Sequence, residues 1–380
     1  MTVAIAGAAE SDLGITGHSV LTLQAQAITR ALADAGLPLK DVDGLATCGV
    51  SRFSATQVAD YLGLQPAWTD STFAGGCAFE MYVARAAQAI EAGQCRTVVI
   101  SYGSNQRSAR SRSLAGVVEE HTPEAVYEAP YGPLYPFSYY AMAAQRYLHT
   151  FGAGREALAE VAVAAREWAL LNPSAYRYGA GPLTVEEALA APMVSSPLTT
   201  ADACLVTDGG GAIVLTTLER ARDLPRPPIV VLGYGECVTH TSMTSADDLT
   251  TTGAVRSGAE AFARAGLRAG DVDVAELYDS FTITVLLSLE GLGFCGRGEA
   301  ADFLKGGRIR PGGAFPLNTN GGGLSYNHPG QYGLLLLVEA VRQLRGECGP
   351  RQVPDAEVAL AHGTGGILSA HATVILGADR

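Results

Sequence analysis

Ala31–Ala46 reads ALADAGLPLKDVDGLA, and much later Ala261–Leu277 reads AFARAGLRAGDVDVAEL. Over the thirteen positions 31–43 set against 261–273, an offset of 230, eight residues are identical: Ala, Ala, Ala, Gly, Leu, Asp, Val and Asp. Ala-rich helices resemble one another by composition, but composition does not produce the shared exit Gly-Leu-x-x-x-Asp-Val-Asp. The chain therefore carries one unit twice. Around the first copy, Val3–Ala8 has the pattern of a short apolar strand. His18–Ala35 has helical spacing through Leu21, Ala25, Ile28, Ala31 and Leu32, with a glycine stop, and Asp41–Leu45 leads into a second strand. Each half alternates helices and strands, so the expectation is an α/β fold with a mainly parallel sheet covered by helices.

A duplication predicts paired features. Asn318–Arg345, NTNGGGLSYNHPGQYGLLLLVEAVRQLR, is a glycine-rich approach that ends at His328-Pro329-Gly330 and opens into an apolar helix. Gly321, Gly322 and Gly323 permit backbone angles closed to other residues, and Pro329 suits a first helical position. Read alone, His328 is either an acid/base group at a helix mouth or a capping residue. The first half carries the counterpart: Ser71–Gly93, STFAGGCAFEMYVARAAQAIEAG, places Cys77 after a glycine pair at another helix mouth, before the strand Thr97–Ser101. The helix dipole and free N–H groups there favour a thiolate. Between the halves, Gly103–Ala191 breaks the rhythm with Arg107, Arg110 and Arg112, a run of tyrosines, and a helix over Arg155–Asn172. The division expected is 1–245 for the first half, including an inserted loop domain at about 103–195, and 246–380 for the second.

Composition narrows the function. With 48% hydrophobic and 17% charged residues the chain has ample material for a core, and glycine at 45 of 380 implies many close backbone approaches. A net charge of -12 without a basic block argues against nucleic acid or an anionic membrane as the main partner. The opening MTVAIAGAAESDLG lacks the pattern of a signal peptide and no apolar run spans a bilayer, so a cytoplasmic location is expected. Seven scattered cysteines without a CxxC pair suggest neither a disulfide framework nor a metal site. Cys48, Cys95, Cys204, Cys237, Cys295 and Cys348 read as packing residues.

Five markers in order resemble the thiolase superfamily, above all its sterol-carrier-protein thiolase and lipid-transfer (thiolase-like aldolase) branches. They are Gly75-Gly76-Cys77, the stretch SPLTTADACLVTDGGGAIVL, Glu276–Phe281, Asn327–Gly330, and Ala361–Gly366. The resemblance covers nearly the whole chain. It implies a duplicated five-layer α-β-α-β-α thiolase fold with an inserted loop domain, usually a homodimer, and chemistry on an acyl-CoA thioester. Coenzyme A would be substrate or product, with no permanently bound cofactor and no metal. It further implies Cys77, His328, Tyr278 and His362 as catalytic candidates. Asn318, Asn320, Gly322, Gly365, Arg107 and Arg110 are expected to bind substrate or CoA, with Arg112 beside them.

Three readings follow. In the preferred one, Cys77 attacks a β-ketoacyl-CoA and the enzyme is a thiolytic acyl-CoA C-acyltransferase. Three departures from the family pattern bear on it: Tyr278-Asp279-Ser280-Phe281 stands where the sterol-carrier branch has His-Asp-Cys-Phe, Ala361-His362 replaces the Cys of common thiolases, and Ala-Phe-Glu follows Cys77. Should the alignment slip by one position, Cys77 is a packing residue. The alternative is retro-aldol cleavage of a β-hydroxyacyl-CoA by Tyr278 and His328, with a zinc-ribbon/OB-fold acyl-CoA-binding partner. A non-catalytic acyl-CoA-binding subunit is the third possibility. The aromatic loop domain (Tyr127, Tyr131, Tyr135, Phe137, Tyr139, Tyr140, Tyr147) suits a bulky or cyclic acyl group.

Overall fold

The computed structural model describes residues 2–111 and 121–379, so Arg112 lies outside the described residues. Its strands are β1 (Val3–Glu10), β2 (Gly44–Ala46), β3 (Trp68–Asp70), β4 (Val98–Ser104), β5 (Met193–Ser195), β6 (Leu198–Thr199), β7 (Gly209–Thr217), β8 (Ile229–Val238), β9 (Val274–Leu277), β10 (Val358–Gly365) and β11 (Ala370–Ala378). Strands β5 and β6 form a small hairpin. The rest make one sheet in the order β3-β2-β4-β7-β1-β8-β11-β10-β9. Its two arms mirror each other, because β2-β4-β7-β1 and β9-β10-β11-β8 hold equivalent places in the repeat, and β1 meets β8 through only Ala4–Val230 and Ile5–Ile229.

The expectation of a mainly parallel sheet is corrected. Only β2 with β3, β2 with β4, and β9 with β10 are parallel; the other five pairings are antiparallel. Helical crossovers make parallel neighbours at the outer ends of the sheet, whereas the short connection from β10 to β11 closes as a hairpin.

Helices cover both faces. Helix Val20–Ala35 packs through Ala27, Ile28 and Ala31 on Ala4, Ala6, Val99 and Val214, on one outer face. Helix Ala254–Ala265 packs through Ala254 and Ala261 on Ala275, Leu360 and Ile375, on the other. Helices Ala78–Glu91 and Gly333–Arg345 lie between the arms, against Ile5, Ile100 and Ile213 on one side and Ala359, Ala361 and Val374 on the other. Alternate residues of each strand thus enter different cores, as the two-residue period of a strand requires, and five layers result.

The repeated sequence has a mechanical reason. Gly36 and Gly266 end their helices in the left-handed region, at φ 69° and 67°. Asp43 accepts backbone N–H bonds from Arg96 and Thr97 at the entry to β4, and Asp273 accepts from Glu357 and Val358 at the entry to β10. A Cβ on Gly7 of β1 would overlap Ala31 O, and one on Gly233 of β8 would overlap Ala261 O. The alanines shared by the repeats lie where each outer helix touches its strand most closely.

In the inserted region, helices Phe137–Phe151 and Glu156–Leu170 pack on helix Thr282–Gly291 through Tyr147, Leu158, Val161 and Leu286. Among the described residues no helix is long and apolar enough to cross a membrane.

Candidate functional site

Cys77 is the residue immediately before helix Ala78–Glu91, as expected from the sequence. His328 is not placed as expected. Its helix begins at Gly333, and Pro329 lies outside it, because Gly330 at φ 90° cannot continue a helix from Pro329. The Gly321–Tyr332 segment is instead a π-helical turn, Gly322–Tyr326, followed by a structured loop. Gly321 (φ 108°) and Gly322 (φ 65°) turn it, Gly323 N–H donates to Asp279 Oδ1 at 2.6 Å, and Leu324 N–H donates to Asp279 Oδ2 at 3.2 Å. A Cβ on Gly322 would overlap that carboxylate. Asp279 therefore anchors the loop. Burial pushes its carboxyl up to about 7, against the backbone bonds that favour its charged form.

The loop delivers His328 to Tyr278, which follows β9 and donates its N–H to His362 O at 2.9 Å. Tyr278 Oη and His328 Nε2 are 3.0 Å apart, and the Tyr332 N–H donates to Tyr278 Oη at 3.1 Å. The ring of Tyr278 meets those of His328 and Tyr332 edge to face, at 5.6 and 5.7 Å between centroids. His328 is fixed further by Thr207, whose Oγ1 accepts the His328 N–H at 3.0 Å. Burial lowers the imidazole pKa to about 4 and raises the phenol pKa well above its usual value. Near neutral pH the pair is thus a neutral imidazole beside a protonated phenol. With the Tyr332 N–H already donating to the phenol oxygen, the phenol proton is free to be donated to Nε2.

Cys77 is brought close in backbone but not in chemistry. Its Sγ donates to Ala74 O at 3.2 Å, and its side chain is buried with Met81, Ala370 and Ala372. Burial, then the neighbouring Glu80, pushes the thiol well above its usual range. The residue that faces Tyr278 is Gly76: a Cβ there would overlap the Tyr278 ring. His362 also stays apart. Its Nδ1 lies 2.9 Å from Thr373 Oγ1 and its ring stacks on His371, while its neighbours Ala361 and Gly363 face the central helices. Strand alternation therefore turns the imidazole to the opposite face of the sheet.

The remaining candidates divide. Asn318 Oδ1 accepts from the Leu277 N–H at 2.7 Å, and Asn320 Oδ1 accepts from the Gly322 N–H at 2.8 Å and from Tyr332 Oη at 2.7 Å, so both brace the loop. Gly365 lets β10 pass against Ala74 O and the Cys77 sulfur. Arg107 and Arg110 are exposed; Arg107 lies on the short helix Gln106–Ala109, whose Ser108 is bonded to Asp208, and Arg110 caps its end.

Sequence reading missed Tyr332, Gly76 and Cys204. Tyr332 acts partly through its backbone N–H, which no side-chain motif advertises. Cys204, expected to be a packing residue, lies across Gly323 from His328, and burial beside Asp279 raises its thiol to about 12. Next to it opens a cleft of about 180 Å³, lined by Ala203, Leu205, Leu324, Ser325, Arg166 and Arg177. The two arginines are close enough for Arg177 to lower the pKa of Arg166, after burial.

Comparison with known proteins supplies the context for this geometry. The profile of the family described as thiolase C-terminal domain-like matches residues 235–378. A steroid side-chain-cleaving aldolase of Thermomonospora curvata is 36% identical over 400 residues, covering all of both chains. A 17-hydroxy-3-oxo-4-pregnene-20-carboxyl-CoA lyase of Mycobacterium tuberculosis is 37% identical over 359 residues, covering 90% of this chain and 91% of that one. A solved structure described as an Ltp2-ChsH2(DUF35) aldolase superposes with a TM-score of 0.90 at 35% identity, covering 100% of this chain and 98% of the other.

Proposed function

Because the chain belongs to the thiolase superfamily, in the branch of the SCP2-thiolase-like proteins and the Ltp2 aldolase, we propose that this thiolase-like acyl-CoA enzyme is a carbon–carbon lyase. Its substrate is a β-hydroxyacyl-CoA, cleaved by a retro-aldol reaction. The observation that carries this reading is the arrangement at the first helix mouth, where Gly76 lies against the ring of Tyr278, the partner of His328, while the Cys77 sulfur is bonded to Ala74 O and buried among Met81, Ala370 and Ala372.

Acyl transfer needs a thiolate at the reacting carbon; here the thiol is buried, neutral and bonded to Ala74 O. Retro-aldol chemistry needs a base for the β-hydroxyl and a proton for the enolate. The neutral imidazole of His328 takes the hydroxyl proton, directly or through the Tyr278 phenol. The bond between the α and β carbons then breaks. Its electron pair moves to the α carbon and thioester as an enolate, and the β carbon leaves as a ketone or aldehyde. The same pair returns the proton to the α carbon, giving a shortened acyl-CoA, so atoms and charge balance with no external oxidant.

The cleft beside Cys204 is the proposed approach for the CoA ester, with Arg166 and Arg177 at its wall. The relatives' names support a steroid-like acyl group, which agrees with the bulky substrate expected from the aromatic insert, and the solved neighbour supports a DUF35 partner.

The test is to incubate the chain, with and without a DUF35 partner, with a panel of β-hydroxyacyl-CoAs that includes 17-hydroxy-3-oxo-4-pregnene-20-carboxyl-CoA. Mass spectrometry is expected to find ketone and shortened acyl-CoA, with Cys77→Ala retaining activity within about twofold. An acyl adduct on the wild-type protein that disappears in Cys77→Ala would restore the thiolytic reading.

A further inference from the structure

Glu80 has no part in the chemistry described so far. It lies in the first turn of helix Ala78–Glu91, 1% exposed, and neither carboxyl oxygen has a hydrogen-bond partner among the described residues. Burying a carboxyl in that state is costly, and buried polar groups are otherwise almost always paired. Missing side chains make the space it fills. A Cβ on Gly333 would lie 2.5 and 2.7 Å from its two oxygens, and one on Gly363 would overlap Oε2. The carboxyl therefore sits where three backbones meet: the mouth at Gly76 and Cys77, strand β10 at Gly363, and the first residue of helix Gly333–Arg345. Gly333 follows Tyr332, whose N–H holds the Tyr278 oxygen, and Gly76 is the residue against which the Tyr278 ring rests. Glu80 stands behind both surfaces that fix Tyr278.

We propose that Glu80 is a positioning residue for the Tyr278–His328 pair: its uncharged carboxyl fills the slot between Gly333 and Gly363 and keeps the Tyr332 N–H on Tyr278, and its ionisation releases that contact. The inference rests on taking the pair as the reacting centre. Burial holds the carboxyl pKa up to about 8, so the group is uncharged at neutral pH and ionises just above it. The titratable groups nearby are the Cys77 thiol, itself raised by burial, and Glu236 of β8 beyond it, which pairs with Arg85 at 3.5 Å. Strand β10 and helix Gly333–Arg345 meet the carboxyl at Gly363 and Gly333. Among the described residues no charged group is seen to offset an anion formed in this slot, so backbone must shift or water must enter.

The experiment follows the Tyr332 backbone amide by NMR in the full chain labelled with ¹⁵N-tyrosine, the resonance being assigned by its absence in Tyr332→Phe. Wild type is expected to show a shift with a midpoint at about 8 that Glu80→Gln lacks. Glu80→Met, apolar and of similar length, serves as the second comparison should the amide not be accommodated. Asp279, raised to about 7, titrates in every variant and cancels in the difference. In activity, kcat for carbon–carbon cleavage should fall with the same midpoint in wild type only, with KM unchanged. The same Tyr332 titration in wild type and variants, or none in any, overturns the proposal. If no β-hydroxyacyl-CoA is cleaved, the activity reading falls, and the amide titration still decides the role of Glu80.

Discussion

The two central helix mouths occupy equivalent places in a duplicated fold and do opposite things. At the first, Gly75 to Cys77 lead directly into helix Ala78–Glu91, and the residue facing the site is a glycine that supplies only room. At the second, a glycine loop pinned by Asp279 carries His328 to Tyr278 and adds the Tyr332 N–H. Duplication copied the scaffold, including the Asp43/Asp273 clamps and the Gly7/Gly233 contacts, but it did not copy the side chains at the two mouths. Fold symmetry is enforced by packing over many residues, whereas reactivity depends on which single side chain points inward.

Removing the proposed acid/base group of the second mouth tests this contrast most severely. His328→Ala should lower kcat for carbon–carbon cleavage by about 10²–10⁴-fold, the usual contribution of a positioned acid/base group. A loss confined to a few-fold, measured in steady state beside Cys77→Ala, would return the burden to the first mouth.

A second effect lies in stability. His328 has a folded pKa of about 4, below its ordinary value, so above pH ~6.5 its burial carries no protonation penalty, and such a penalty grows, lowering stability, as pH falls toward 4. The linkage amounts to about 3 kcal/mol over that interval. Urea unfolding at neutral and acid pH should therefore show a smaller acid loss in His328→Asn than in wild type. Equal losses would mean that the imidazole is not held neutral.

The smallest effect probes the repeat itself. Gly266→Ala should cost about 1 kcal/mol, because its left-handed backbone is strained for alanine although the space is open. Gly36→Ala should cost more, since a Cβ there would lie 2.7 Å from the Pro225 ring. Equal costs in thermal or urea unfolding would show that Pro225 yields.

Much of the fold is legible in the chain itself. The shared Gly-Leu-x-x-x-Asp-Val-Asp exit announces the duplication, and its Gly, Val and final Asp have local roles in both copies as a left-handed cap, a buried apolar contact and a strand clamp. Local roles leave local patterns. The direction of the sheet is not legible in the same way, because helix and strand alternation reports the order of elements, not the direction in which distant strands meet. Tyr278 and His328 stand out as members of motifs, yet their 3.0 Å separation brings together residues 50 positions apart.

The repeat, the layered α/β fold and the motifs that carry reactive residues are thus written in the amino-acid order, because they depend on periodicity and on short-range backbone demands. Tertiary structure alone settles that Gly76 lies against the tyrosine ring, that His362 points to the opposite face of its sheet, and that Glu80, against Gly333 and Gly363, has no partner among the described residues. Each of those facts turns on the direction of one side chain at the meeting of segments far apart in the chain. A single residue of register, or one step of strand alternation, reverses such a direction while leaving composition and motif unchanged.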